Sequence, residues 1–141
     1  MPDKYTGHGE DASPALELSE LAEDAVSIVI IMDDLDVPWK SNYTHWVIWN
    51  IPASTHIPEG ISHGDVVHEL NGAIQGTAYG QNCYRGPMPP FGTHRYQFHV
   101  FALDTSLDLN SSCGKNDLVN AMEGHILQYG AIIGWYPREA N

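Results

Sequence analysis

The chain has 141 residues, and 43% of them are hydrophobic. This length and composition fit a single folded domain with a core of its own. The formal net charge is −12, because 18 acidic residues outnumber six lysines and arginines. Binding to nucleic acid or to an anionic membrane surface depends on clusters of basic residues, so the sequence predicts neither kind of partner.

No stretch of the sequence approaches the ~20 apolar residues that a membrane-spanning helix requires. The first residues also lack the apolar segment of a secretory signal, so we expect a cytoplasmic protein with no membrane span. The cysteines Cys83 and Cys113 lie in no CxxC or His-rich pattern that would indicate a zinc site. Two interpretations stay open: two separate thiols, or a disulfide formed in an oxidising compartment.

The first strand signal is a nearly continuous apolar and β-branched run over residues 25–32, which is typical of a strand buried on both faces. Acidic residues and Pro38 follow this run and predict its end. Residues 44–51 predict a second strand, which Pro52 closes. Residues 60–93 are rich in glycine and hold only short apolar stretches, so they predict long loops, where binding residues often lie.

The later part of the chain predicts two more strands and a helix. Residues 94–103 alternate in the manner of a strand. A helix is predicted over residues 117–129, with Asn116 as its N-cap and Gly130 after its end. The residues at helical spacing in it are Leu118, Met122, Ile126 and Tyr129. Residues 131–136 predict a last short strand. The sequence therefore predicts an all-β fold, a Greek-key β-sandwich with one helix near the C-terminus.

Polar residues lie where the predicted strands begin and end. Asp34 and Asp36 follow the first strand, and His45 and His94 open two others. If these ends meet, the cluster could bind a divalent metal, act as general acid and base, or bind an anion through imidazole N–H groups. Asp34 is placed to hold His45 in one tautomer. Alternatively, the aspartates only cap turns and the histidines only complete the edge of the core.

The loop over residues 86–92 favours a preformed ligand pocket. Its prolines stiffen the backbone, and Gly86 and Gly92 allow close approach to a ligand. The sequence contains no Gly-x-Ser-x-Gly elbow, no P-loop and no dinucleotide-binding motif, and neither cysteine has a neighbouring histidine. The pattern therefore favours a binding protein over an enzyme, with no cofactor and no bound metal.

Three segments together resemble the phosphatidylethanolamine-binding protein family, also called the Raf kinase inhibitor protein family. They are residues 34–38 (DLDVP), 44–52 (THWVIWNIP) and 84–96 (YRGPMPPFGTHRY), and they match in order and spacing. Residues 5–14 resemble the N-terminal lead-in of the family. Residues 124–136 resemble the C-terminal part of its bacterial and archaeal branch. The resemblance covers essentially the whole chain, as one domain over residues 1–141.

The resemblance implies a β-sandwich whose small pocket binds a phosphate-like or carboxylate-like anion or a phospho-headgroup. By motif position, the pocket residues are Asp34, Asp36, His45, Met88, Pro89, Pro90, His94 and Tyr96. Arg95 points away from His94 by strand alternation, so we expect it to form a structural ion pair. Such a protein could regulate a partner, and the alternative is an inhibitor of a serine protease or kinase that acts through surface loops. A homodimer also fits.

Three features depart from the family pattern. Met88 stands where prokaryotic relatives usually have cysteine and eukaryotic ones a small residue, so we expect a different pocket size. Only four residues precede Tyr5, which implies that a first strand is missing or shortened. The sequence also ends without the C-terminal helix that borders the pocket in eukaryotic relatives. Kinase inhibition and headgroup selectivity therefore do not carry over to this chain from the resemblance alone.

Overall fold

The computed structural model describes residues 1–37, 43–89 and 92–136. Its strands, in chain order, are β1 (Leu16–Glu17), β2 (Ser27–Asp34), β3 (Tyr43–Pro52), β4 (His56–Ile57), β5 (Val66–Val67), β6 (Ala73–Gln75), β7 (His94–Leu103) and β8 (Ile126–Tyr136). One α-helix, α1 (Lys115–Met122), lies between β7 and β8 in this part of the chain, and short 3₁₀ turns cover Asp3–Tyr5 and His68–Leu70.

Six strands form the main sheet in the spatial order β5-β6-β3-β2-β7-β8, and every pairing is antiparallel. The strands β1 and β4 pair separately as a small second sheet. After β6 the chain returns to the far side of β2 and forms β7 there, which is Greek-key connectivity. The predicted all-β, Greek-key β-sandwich with one helix is confirmed.

The alternation of side chains in β2 divides the core between the two faces of the main sheet, because all eight residues of this strand are buried. On one face, Ile28, Ile30 and Met32 pack with buried aromatic residues of other segments, namely Trp46, Tyr84, Tyr96 and Phe98. On the other face, Val29 and Ile31 pack with residues that include Trp49 and the buried side of α1, namely Leu118 and Met122.

The predicted strands are confirmed with small shifts of their ends. The run predicted over residues 25–32 forms β2 at Ser27–Asp34, and the run predicted over residues 44–51 forms β3 at Tyr43–Pro52. The strand predicted over residues 94–103 has those bounds. The strand β2 continues into Asp33 and Asp34 because both carboxylates are hydrogen-bonded while buried, which removes the penalty that normally ends a buried strand at an acidic residue.

The predicted helix over residues 117–129 is wrong in its second half, and its N-cap is Gly114 rather than Asn116, which lies inside the helix. The helix α1 ends at Met122, and Gly124 has a φ of 82°, which breaks the helical path. Ile126 and Tyr129 belong to β8 instead. The strand β8 pairs with β7 over its whole length, from Leu103↔Ile126 to His94↔Tyr136. These ladder hydrogen bonds outweigh the weak helical preference of residues 126–129.

Both cysteines are free thiols, as one of the two interpretations predicted; Cys83 is buried and Cys113 is partly exposed. Burial raises the pKa of the Cys83 thiol, which keeps it protonated. No helix within the described residues is long and apolar enough to cross a membrane.

Leu118 and Val119 provide a matched test of how α1 packs. Leu118 is fully buried and Val119 is 45% exposed, although they are neighbours in one helix. We expect Leu118→Ala to lower the free energy of unfolding by about 2–4 kcal/mol, because it leaves a cavity against the sheet. Val119→Ala should change it by less than about 0.5 kcal/mol. Urea denaturation of both variants measures the difference, and equal effects would contradict this packing.

Candidate functional site

The ends of three central strands meet at one edge of the main sheet. Asp34, the last residue of β2, lies between Tyr43 of β3 and Tyr96 of β7 in the sheet register. His94 begins β7, and His45 lies near the start of β3. The structure therefore brings together four of the predicted site residues on one face of the sheet: Asp34, His45, His94 and Tyr96.

A β-bulge places His45 on this face. Met32 pairs with Trp46 and Asp33 pairs with Thr44, so His45 is an additional residue in β3 at this point. Simple alternation would put His45 on the same face as Val47, toward α1. The bulge shifts the alternation by one residue, and the His45 ring instead lies 5.5 Å from the Tyr96 ring, centroid to centroid. Bulges commonly redirect a side chain next to a functional site.

Asp34 orients His94, not His45 as the sequence suggested. The Nδ1 atom of His94 lies 2.7 Å from Oδ2 of Asp34, and both side chains are at least nine-tenths buried. The other oxygen of Asp34 accepts the backbone N–H of Asp36 at 2.9 Å. His45 does not take this role, because its own Nδ1 atom donates to the backbone carbonyl of Arg85. With Nδ1 engaged, the Nε2 atom of His94 is the one that can meet a ligand.

His45 is held by a backbone carbonyl. Its Nδ1 atom donates to the carbonyl oxygen of Arg85 at 2.8 Å. Burial lowers the pKa of His45, and this effect exceeds the opposing effects of the Arg85 carbonyl and of the Asp34 charge. His45 is therefore neutral at pH 7, with its proton on Nδ1. Its Nε2 atom then carries a lone pair and accepts hydrogen bonds.

Tyr96 lies between the two histidines. Its ring is 5.5 Å from the ring of His45 and 6.3 Å from that of His94. Burial raises the pKa of the Tyr96 hydroxyl, and the negative charge of Asp34 and a hydrogen bond with it raise the pKa further, so the hydroxyl stays protonated.

In both histidines Nδ1 fixes the ring, which leaves Nε2 as the second ring nitrogen. Neither of them has a hydrogen-bond partner in the described part of the chain. Within the same residues, only Nε1 of Trp49 is a fully buried side-chain nitrogen or oxygen without a partner. Two hydrogen-bonding atoms of largely buried rings thus have no protein partner among the described residues.

Asp36 forms hydrogen bonds with Arg95. Its carboxylate accepts the backbone N–H of Arg95 at 2.7 Å and three hydrogen bonds from the guanidinium, the shortest at 2.8 Å. The hydrogen bond from the Arg95 side chain holds the pKa of Asp36 below its ordinary value. The expected structural ion pair of Arg95 is confirmed. A ligand contact of Asp36 stays a prediction, since its oxygens are engaged by Arg95.

The loop after Tyr84 is fastened to the first residues of the chain. The Tyr84 hydroxyl donates to the Tyr5 carbonyl at 2.6 Å, and the Gly86 N–H donates to Asp11 at 2.7 Å. A Cβ atom at Gly86 would lie 2.1 Å from the Tyr5 carbonyl oxygen, so only glycine fits there. These contacts fix the Arg85 carbonyl that holds His45.

The predicted pocket wall is only partly described. Met88 is 58% exposed, and its sulfur lies against Gly7. Pro89 is half-buried. Pro90 lies outside the described residues. A wall formed by these three residues stays a prediction.

Sequence reasoning missed two residues beside His45. The ring of Tyr79 lies 4.9 Å from the ring of His45. The guanidinium carbon of Arg85 lies 4.6 Å from the centroid of the Tyr79 ring. The only signals in the sequence were a basic residue in the Gly/Pro-rich loop and a tyrosine before Gly80, and neither one specifies a position beside His45.

A second polar cluster lies on the opposite face, around Asp33. Its carboxylate accepts hydrogen bonds from Lys115 and Thr44, both at 2.8 Å, and His99 lies 3.4 Å away. Burial raises the pKa of Asp33, but these three partners together lower it to about 2. No group of three or more His, Cys, Asp or Glu side chains in the described ranges is arranged to hold a metal ion.

Comparisons with known sequences match this chain over nearly its whole length. The sequence model of the phosphatidylethanolamine-binding protein family matches residues 1–137. A UPF0098 protein of Pyrococcus horikoshii is 44% identical over 99% of this chain and 71% of its own length. One from Methanothermobacter thermautotrophicus is 44% identical over 98% of this chain and 91% of its own.

Two solved structures of proteins described as members or homologues of this family have a similar fold. A phosphatidylethanolamine-binding protein homologue from Chlamydia trachomatis superimposes with a TM-score of 0.85 at 32% identity, covering 98% of this chain and 89% of its own. YbcL of E. coli, described as a new member of the mammalian family, gives a TM-score of 0.81 at 28% identity, covering 94% and 84%.

The hydrogen bond to the Arg85 carbonyl predicts the tautomer of His45. At pH 7.5 we expect His45 to carry its proton on Nδ1 and none on Nε2, because only a protonated Nδ1 can donate to a carbonyl. Two-bond ¹H–¹⁵N correlation spectra of the imidazole rings distinguish the tautomers, with the exposed His63 as an internal reference. An Nε2–H signal for His45 at this pH would contradict the assigned arrangement.

Proposed function

The chain belongs to the phosphatidylethanolamine-binding protein family, and we propose that its site at His45, His94 and Tyr96 binds a small oxyanion such as a phosphate group. The observation that carries this proposal is the pair of Nε2 atoms that have no partner among the described residues, on rings that are buried and held. Each ring is fixed through Nδ1, by Asp34 in one case and by the Arg85 carbonyl in the other. Fixed polar atoms around a small opening are what a preformed ligand site requires.

The chemistry of the three groups suits an oxyanion. The Tyr96 hydroxyl is kept protonated and can donate to a ligand in place of Asp34, and His94 offers an N–H at Nε2 when it is charged. His45 offers a lone pair when neutral and an N–H when charged, so it can accept the proton of a hydrogen phosphate or donate to a bare oxyanion. A carboxylate ligand could use the same donors, with fewer oxygen atoms to share among them.

The acidity of the chain does not prevent this binding. A net charge of −12 repels anions at long range, but the repulsion is screened over about 8 Å at physiological ionic strength. Binding then depends on the local donors. Regulation of a partner protein and inhibition of a serine protease or kinase stay predictions, as does the absence of enzymatic activity.

The lowered pKa of His45 sets the direction of the pH dependence. Sulfate keeps two charges and no proton over pH 5–8, so changes in its affinity report on the protein. We expect sulfate to bind most tightly below the pKa of His45, which lies under the ordinary value of about 6.5, and to weaken as pH rises through it. Arg85 adds to this lowering, whereas Asp34 and Asp11 oppose it. Calorimetric titrations of wild type and His45→Asn measure the effect; a pH profile that the substitution leaves unchanged would remove His45 from the site.

The neutral form of His45 predicts a preference between two anions of similar shape. At pH 7.5 hydrogen phosphate can donate its P–OH to Nε2, and sulfate has no proton to donate. We expect phosphate to bind about tenfold or more tightly than sulfate, because an unmatched lone pair facing an anion costs about 1–3 kcal/mol. Below the pKa of His45 the two affinities should converge. Competition between the anions, followed by calorimetry at two pH values, tests this; equal affinities at pH 7.5 would contradict it.

A further inference from the structure

Arg85 differs from the other basic residues that the structure describes. Lys4 pairs with Glu59 at 2.6 Å, Arg95 with Asp36 at 2.8 Å, and Lys115 with Asp33 at 2.8 Å. Within the described ranges, Arg85 is the one lysine or arginine that forms no ion pair with a carboxylate of those ranges. In a chain with 18 acidic residues, a guanidinium left without such a partner has its charge available for a ligand.

The Arg85 guanidinium stacks on the ring of Tyr79, and the backbone of Tyr79 has a strained conformation. Tyr79 and Gly80 form a two-residue turn, in which Ala78 and Gln81 exchange both backbone hydrogen bonds. Both central residues have positive φ, 57° for Tyr79 and 71° for Gly80. Such turns favour asparagine at the first position, and a bulky tyrosine there is strained. Strain of this kind is often retained at functional sites.

The Tyr79 ring connects the guanidinium to the site. One face of it lies under Arg85 at 4.6 Å, and the ring also contacts the rings of His45 at 4.9 Å and Tyr43 at 5.0 Å. Stacking on an aromatic face restricts an arginine while leaving its N–H donors free to bind an oxyanion. The turn therefore holds a cation beside His45 before any ligand arrives.

The local charges give this cation a specific role. The carboxylate of Asp34 lies within the site, and Asp11 is near enough to affect His45. Two negative charges at this range disfavour a ligand with two charges more than a ligand with one. The fixed charge of Arg85 offsets them on the His45 side, and its fork of donors matches a terminal phosphate.

We propose that Arg85, held on Tyr79, makes the site selective for phosphomonoesters, whose terminal group carries two negative charges, over phosphodiesters, which carry one. The inference rests on the proposed oxyanion site and adds to it the chemical class of the ligand. The diester has the same tetrahedral phosphorus as the monoester but lacks the second charge and one of the terminal oxygens that the guanidinium would engage.

Methyl phosphate and dimethyl phosphate are the matched probes. At pH 7.5 the monoester is largely a dianion, since its second pKa is about 6, and the diester is a monoanion. We expect wild type to bind methyl phosphate more tightly, and Arg85→Gln to weaken it by about tenfold or more while changing dimethyl phosphate by less than about threefold. Arg85→Lys should restore only part of the preference, because lysine keeps the charge without the planar fork. Calorimetry or NMR titration gives each affinity.

Lys4→Gln is the control, because it also removes one positive charge, but from an exposed side chain that pairs with Glu59 rather than with a residue of the site. A selective loss of methyl phosphate affinity in Arg85→Gln, with Lys4→Gln like wild type, supports the inference. An equal loss in both variants, or an unchanged monoester preference in Arg85→Gln, overturns it and leaves oxyanion binding intact. Failure of wild type to bind phosphate, methyl phosphate or sulfate overturns the proposed function and this inference with it.

Discussion

The structure depends on a constraint at the end of its central strand, where two consecutive aspartates are buried. Neighbouring residues of a strand point to opposite faces, so Asp33 and Asp34 need partners on different sides of the sheet. Asp33 has Lys115 and Thr44, which bind the start of α1 and of β3 to this point. Asp34 has His94, which fixes the start of β7. A buried carboxylate without a partner would be strongly destabilising, so the surrounding elements converge here.

The candidate site lies where the ends of these strands meet a β-bulge and a loop. The bulge in β3 turns His45 onto the same face as Asp34, and the loop after Tyr84 supplies the carbonyl that orients it. That loop is in turn fixed by the first residues of the chain through Gly86. The regular strands thus supply Asp34, His94 and Tyr96, whereas a bulge and a loop supply His45 and Arg85. The positions of the first three residues follow from the pairing of the strands. His45 and Arg85, which do not follow from it, give the site its particular chemistry.

This division explains how much could be predicted from the sequence. The buried strands and the meeting of their polar ends follow from hydrophobic pattern and strand order, and the ion pair of Arg95 follows from alternation. The bulge at His45 has no local sequence signal, so the partner of Asp34 was assigned to the wrong histidine. The helix end was missed because residues 126–129 fit helical spacing, although β7 needed them as a pairing strand. The position of Arg85 depends on the unusual backbone of Tyr79, which no periodicity reports.

The distribution of charge sets Arg85 apart from the other lysines and arginines of the described ranges. In an acidic chain, most basic residues are expected to find carboxylates, and three of those described here do so with structural consequences: one joins α1 to the sheet, one closes the turn after β2 and one ties the N-terminal segment to Glu59. Arg85 forms no such ion pair between elements within the described residues. Tyr79, on whose ring it stacks, occupies a strained turn position. A guanidinium that forms no ion pair within the described residues, yet stacks beside the imidazole of His45, is better explained by a ligand than by the stability of the domain.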